Sequence, residues 1–84
     1  MQPETPDEKL RARAARVIPG GMFGHLNANR LPEGYPQFFE RGDGCHLWDV
    51  NGRRYVDFMC SWGPIVLGHH HPAVTEAVQR QMAA

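Results

Sequence analysis

Residues 38–72, FFERGDGCHLWDVNGRRYVDFMCSWGPIVLGHHHP, decide how this chain folds. Three segments inside the stretch carry the residues that suit a pleated surface: Phe38 to Arg41, Cys45 to Trp48 and Arg54 to Phe58. Gly42-Asp43-Gly44 separates the first from the second, and Asp49-Val50-Asn51-Gly52 separates the second from the third. Asn-Gly is a strong hairpin signal because both residues tolerate positive φ. Residues 38–60 therefore read as a small three-stranded antiparallel sheet. Two registers fit the second hairpin. A two-residue turn sets Leu47 opposite Val56, Cys45 opposite Phe58, Trp48 opposite Tyr55 and His46 opposite Asp57. A three-residue loop with Gly52 in a bulge slips every pairing by one. Asp and Gly at the first and fourth positions of a type I turn favour the bulge, whereas the clean apolar face favours the tight turn.

Working outward, residues 1–4 are polar and expected to be disordered, and a helix is expected over residues 5–18. Thr5 suits the N-cap, Pro6 the first helical position, and Glu8 completes a T-x-x-E capping box. Leu10, Ala14, Val17 and Ile18 recur on one stripe. Lys9, Arg11, Arg13 and Arg16 lie mostly off it and read as a solvated face rather than an anion site. Pro19-Gly20-Gly21 stops the helix. Residues 19–37 show neither a strand nor a helix period, and a loop of this length is unusual within a compact small domain. A segment lying across another domain or subunit would account for it. Downstream, a connector over residues 61–71 feeds a helix over residues 72–84 that opens at Pro72. Val74, Ala77, Val78 and Met82 form its apolar stripe, which reaches Ala83-Ala84 without a stop signal, as in a truncated helix. The fold class is α+β: helix, long loop, small sheet, connector, helix.

Composition narrows the function. The 84 residues suffice for one small domain at most. Glycine (9) and proline (7) make up about 19%, above the usual ~12%, so little chain is left for a core. Nine basic and nine acidic residues cancel, which argues against a general nucleic-acid binder. Apolar runs such as Ile65 to Leu67 are far too short to cross a membrane. The polar start MQPETPDEK is no secretory signal. Cys45 and Cys60 lack a C-x-x-C spacing and read as free thiols of a cytoplasmic protein.

Three groups invite chemistry. His46 and Asp57 would face each other in the tight-turn register, but no nucleophile accompanies them, so a surface pair is the better reading. His69-His70-His71 lacks a third ligand for zinc, and His71 more simply precedes the proline that opens a helix. Ser61-Trp62-Gly63-Pro64 follows the last strand. A tryptophan placed there by the backbone either touches a ligand or plugs the sheet edge.

Together these motifs carry a resemblance. P-G-G at 19–21, F-F-E-R-G-D-G, L-W-D-V-N-G-R-R-Y-V-D-F and S-W-G-P-I-V-L-G-H-H-H-P resemble the N-terminal region of class III aminotransferases, pyridoxal-phosphate (PLP) enzymes of fold type I. Within that family the last run is most similar to the glutamate-1-semialdehyde 2,1-aminomutase branch. The similarity spans Arg16 to Met82 and only the first part of a family member. It implies a position beside the active site of an obligate homodimer, with Trp62 lining the substrate pocket and Ser61 beside it. It also implies that Asn27 stands where aminomutases carry a carboxylate-binding arginine, Arg30 being out of register. That departure points to a transaminase with another substrate. The family's Schiff-base lysine, its pyridine aspartate and its phosphate-binding turn match nothing here, since the single lysine is Lys9.

Two functions follow. In the first, the chain is the N-terminal fragment of a PLP-dependent aminotransferase or aminomutase. The whole enzyme moves an amino group between an amino compound and a keto or aldehyde partner. The fragment lacks the catalytic domain, binds no PLP and is inactive alone. In the second, it is a small free-standing interaction module that binds a partner through its apolar sheet and helix faces.

Overall fold

The computed structural model describes residues 3–84, so part of the terminus expected to be disordered lies outside the described residues. Helix α1 spans Pro6–Val17, strand β1 Phe39–Asp43, β2 His46–Asp49, β3 Arg54–Val56 and helix α2 Pro72–Ala83. The three strands form one antiparallel sheet in the order β1-β2-β3. The α+β architecture expected from the sequence is the one observed.

Helix α1 begins with a complete capping box. The Thr5 hydroxyl accepts from the Glu8 N–H at 3.2 Å, and the Glu8 carboxylate accepts from the Thr5 N–H at 2.7 Å. Pro6 has no N–H, so two of the three orphan amides at the helix start are thereby satisfied. The next residue, Asp7, turns inward and is buried. One of its oxygens accepts from the backbone N–H groups of Gln37 (3.2 Å) and Phe38 (3.1 Å), and the other accepts from the Arg11 guanidinium. Arg11 also donates to the Tyr35 carbonyl. This cation is thus engaged with the protein rather than part of a solvated face.

The β2–β3 connection is the bulged one. Gly52 N–H donates to the Asp49 carbonyl at 3.0 Å, as in a type I turn, and Gly52 has φ +88°. Arg53 follows, its carbonyl accepting from the Asp49 N–H at 2.9 Å. The pairs are therefore His46 with Val56, Leu47 with Tyr55, and Trp48 with Arg54. The turn chemistry outweighs the apolar face because Asp49 anchors it. That carboxylate is 3% exposed and accepts from Asn51 N–H (3.0 Å), Arg53 N–H (2.8 Å) and Tyr55 hydroxyl (2.9 Å).

Two strand ends differ from expectation by two residues, while the start of β1 and both ends of β2 shift by one. Gly42 and Asp43 extend β1, which leaves Gly44, with φ +58°, to make the turn. Strand β3 stops at Val56 because the Asp57 side chain folds back onto the following amides. The long loop also holds two short 3-10 turns, Pro19–Gly21 and Ala28–Arg30, and Gln37 joins its two ends by donating its side-chain N–H to the Gly21 carbonyl at 2.8 Å.

Little of this chain is interior. Among the described residues Ala14 is the one buried hydrophobic side chain. The far end of the α1 stripe, at Val17, is 74% exposed, and Val74, Val78 and Met82 of α2 face solvent. Sequence amphipathicity built these faces, and they find no partner within the described residues.

Candidate functional site

The connector after β3 makes a tight hook at Cys60–Trp62. Cys60, Ser61 and Trp62 have φ of +52°, +50° and +69°, and Gly63 follows at +107°. Left-handed backbone costs a residue with a Cβ about 1–2 kcal/mol. Three such residues in a row persist only where the surroundings over-determine them.

Asp57 anchors the start of the hook. Its Oδ1 accepts from the N–H groups of Met59 (2.9 Å) and Cys60 (3.0 Å). Its Oδ2 meets His69 Nε2 at 2.6 Å, both side chains being largely shielded from solvent. The amides of Cys60 and Met59 and the His69 ring hold the Asp57 carboxyl below the usual carboxylate range, with the Cys60 hydrogen bond the largest cause. An ionised carboxylate only accepts, so His69 Nε2 carries the proton. His46, the other candidate partner, sits opposite Val56 and rests against the Trp48 ring at 5.9 Å.

His69 is itself fixed to the sheet. Its N–H and C=O both pair with Gly44, at 2.8 and 2.9 Å, in an isolated antiparallel bridge. Its ring packs on Gly42, where an added Cβ would lie 3.0 Å from His69 Cβ and Cγ. His71 plays a separate part as the N-cap of α2, its Nδ1 accepting from the Ala73 N–H at 3.2 Å. Among the described residues no cluster of three or more His, Cys, Asp or Glu is arranged to hold a metal. Cys45 and Cys60 are both free.

Trp62 projects from the hook and is 83% exposed, with Ser61 exposed beside it. Asn27 lies on the other short turn, where its side chain accepts from the Asn29 N–H at 2.9 Å. The structure thus joins Ser61 and Trp62 in one hook and leaves Asn27 in a separate turn.

The comparisons with known proteins bear on this geometry. Residues 29–84 match the family described as aminotransferase class-III. The chain belongs to the class-III aminotransferases. The glutamate-1-semialdehyde 2,1-aminomutase of Chloroflexus aggregans is 54% identical over 70 residues, which are 83% of this chain and 16% of that protein. The corresponding enzyme of Polaromonas naphthalenivorans is 48% identical over 71 residues, 84% of this chain and 16% of that protein. Among solved structures, the FumI protein of Sphingopyxis sp. MTA144 in its PLP internal aldimine form superposes with a TM-score of 0.80 at 43% identity. It covers 92% of this chain and 19% of that one. An omega-transaminase from Sphaerobacter thermophilus gives 0.79 at 33% identity, covering 98% of this chain and 18% of that one. The chain spans about a sixth of the length of the curated relatives it matches.

The PLP held by the FumI protein can be tested against the residues of this class-III chain. A lysine near a phosphate-binding turn is the minimum donor set. Lys9 is on the exposed face of α1, in a different part of the chain from the Asp57–His69 pair and the hook. The described residues do not form a PLP cradle.

Sequence reasoning missed the Asp57–His69 pair. A signal was available: Asp two and three residues ahead of amides that leave a strand is a local turn former. Its histidine partner lies twelve residues on and is set by contacts distant in sequence, the bridge to Gly44 and the packing on Gly42.

Proposed function

We propose that this chain is the N-terminal segment of a PLP-dependent class-III aminotransferase or aminomutase that works as a homodimer in the cytoplasm. The whole enzyme moves an amino group between an amino compound and a keto or aldehyde partner. Within it, this segment contributes a substrate-side wall. The remainder of the protein carries the cofactor, because Lys9 is wrongly placed for that role. Trp62 is the substrate contact, with Ser61 beside it. Asn27 offers the substrate a neutral amide rather than a guanidinium, which favours a substrate other than that of the aminomutases.

The observation that carries this reading is the hook. A family segment spends backbone strain on three consecutive residues and so holds a tryptophan out from the sheet, 83% exposed in this chain. The exposed apolar faces suit a segment designed to be covered by the rest of a larger protein. They would also suit an interaction module, but the family match gives that reading no support.

The test is Trp62→Ala in the full-length enzyme. Loss of a large aromatic contact should lower kcat/KM about tenfold, while PLP absorbance and melting temperature hold. A sharp fall in melting temperature with unchanged kinetics would make Trp62 a packing residue and remove it from the site.

A further inference from the structure

The side chains of the hook do not favour its backbone. Neither glycine, asparagine nor aspartate, the residues that enter left-handed backbone readily, occupies positions 60–62. Backbone bonds close the hook, Trp62 N–H donating to the Met59 carbonyl at 3.1 Å and Gly63 N–H to the Cys60 carbonyl at 2.9 Å, and Asp57 anchors where it starts. Its two oxygens do different work: Oδ1 gathers the amides of Met59 and Cys60, and Oδ2 takes the proton-bearing Nε2 of His69. Asp57 is held from behind as well, its N–H donating to the Cys45 carbonyl at 2.8 Å. His69 is clamped by its two backbone hydrogen bonds to Gly44 and by the bare Cα of Gly42 beneath its ring. A rigid line thus runs from the β1–β2 turn through His69 and Asp57 to the amides that start the hook.

From this geometry we infer that Asp57 and His69 are a positioning pair for Trp62, setting the direction of its indole and through it the fit of the substrate. The inference rests on the reading of Trp62 as a substrate contact. Neither member is a catalytic residue. Their effect passes through Trp62.

The experiment reads the two claims separately in the full-length protein labelled with 5-fluorotryptophan. The 19F resonance of Trp62 is assigned by its loss in Trp62→Phe. His69→Ala should move or broaden that resonance. It should also lower kcat/KM about tenfold through KM, with PLP absorbance unchanged. His69→Gln, whose amide N–H falls where Nε2 was, should restore both. In a Trp62→Ala background, His69→Ala should cost no further kcat/KM, because the pair acts through the indole. Should His69→Ala fail to fold, His69→Asn set against His69→Gln makes the same comparison, since the asparagine amide falls at the Nδ1 position.

An unmoved Trp62 resonance in His69→Ala (or His69→Asn) would overturn the inference, as would an equal kinetic loss in both backgrounds. If Trp62→Ala itself leaves the kinetics intact while the resonance still moves with His69, the positioning pair stands and the substrate reading of Trp62 falls.

Discussion

The backbone N–H of Asp7 donates to the side-chain oxygen of Asn51 at 3.0 Å, across 44 positions of the chain. This bond ties the first turn of α1 to the β2–β3 turn. Asn51 also donates its own N–H to Asp49, so two buried carboxylates, one on the helix and one on the sheet, share a neighbour. Replacing Asp7 strands the amides of Gln37 and Phe38 and the Arg11 guanidinium. Asp7→Ala should therefore cost about 1–3 kcal/mol in a urea titration of the full-length protein. Asp43→Ala, which breaks only the exposed 3.4 Å pair with Arg41, should stay within about 0.5 kcal/mol. Equal effects would show that Asp7 is no hub.

Gly52 tests the register. Its φ of +88° is costly for any residue with a Cβ. Gly52→Ala should lose about 1–2 kcal/mol, and Gly52→Asn less, because asparagine enters that region more readily. Thermal midpoints of the two variants give the comparison. A neutral alanine would mean that the tight-turn pairing is accessible after all.

The carboxylates predict an acid edge. Burial of Asp49 works against its charge, but the hydrogen bonds from Arg53, Tyr55 and Asn51 outweigh it and hold its pKa down. Asp57 is held down too, by the amides of Cys60 and Met59 and by His69. Both values are lower folded than unfolded. Their stabilisation is present above pH ~4 and is lost as pH falls through the folded values. Tyr55 runs the other way: burial and the Asp49 bond push its pKa up. Its contribution is present below pH ~10 and is lost as pH rises through the folded value. Far-UV dichroism against pH should show both edges, with Asp49→Asn flattening the acid one and Tyr55→Phe the alkaline one.

Alone, the 84-residue chain should be poorly stable and self-associating, because the stripes of α1 and α2 lie uncovered. Sedimentation at several concentrations and a thermal melt check this. A cooperative monomeric transition well above room temperature would instead favour the interaction module. Mixed with PLP, the chain should retain no coloured adduct through gel filtration and show no transaminase activity. A retained band that disappears in Lys9→Ala would overturn the assignment of the cofactor to the remainder of the protein.

Legibility in the sequence followed the range of the interactions. The capping box of α1 and the class of the sheet are local, and Thr5, Glu8 and Asn51-Gly52 announce them directly. The register was undecided because the contact that settles it is a buried carboxylate, Asp49, meeting three donors at once. The end of β3 was misjudged because Asp57 looks like a strand residue by alternation yet uses its side chain as a turn former. Arg11 reads as solvated in the sequence because, although Asp7 is one turn away on the same helix, the Tyr35 carbonyl arrives only when the loop returns to the helix. Trp62 was singled out as a loop aromatic. The left-handed backbone that presents it carries no signature in Cys60, Ser61 or Trp62 themselves.

The bridge between Gly44 and His69 has a consequence in time. The β2–β3 turn closes over 4 residues, from Asp49 to Arg53, whereas the bridge closes over 25, from Gly44 to His69. On loop-closure entropy alone the longer ring is costlier by about 1.6 kcal/mol. The hairpin therefore zips first, on the order of microseconds, and the Asp57–His69 contact forms only when His69 docks onto an already formed sheet edge. The outer anchor of the hook is thus among the last contacts made during folding and among the first released when the chain loosens, so the Trp62 resonance should report early unfolding before the sheet is lost.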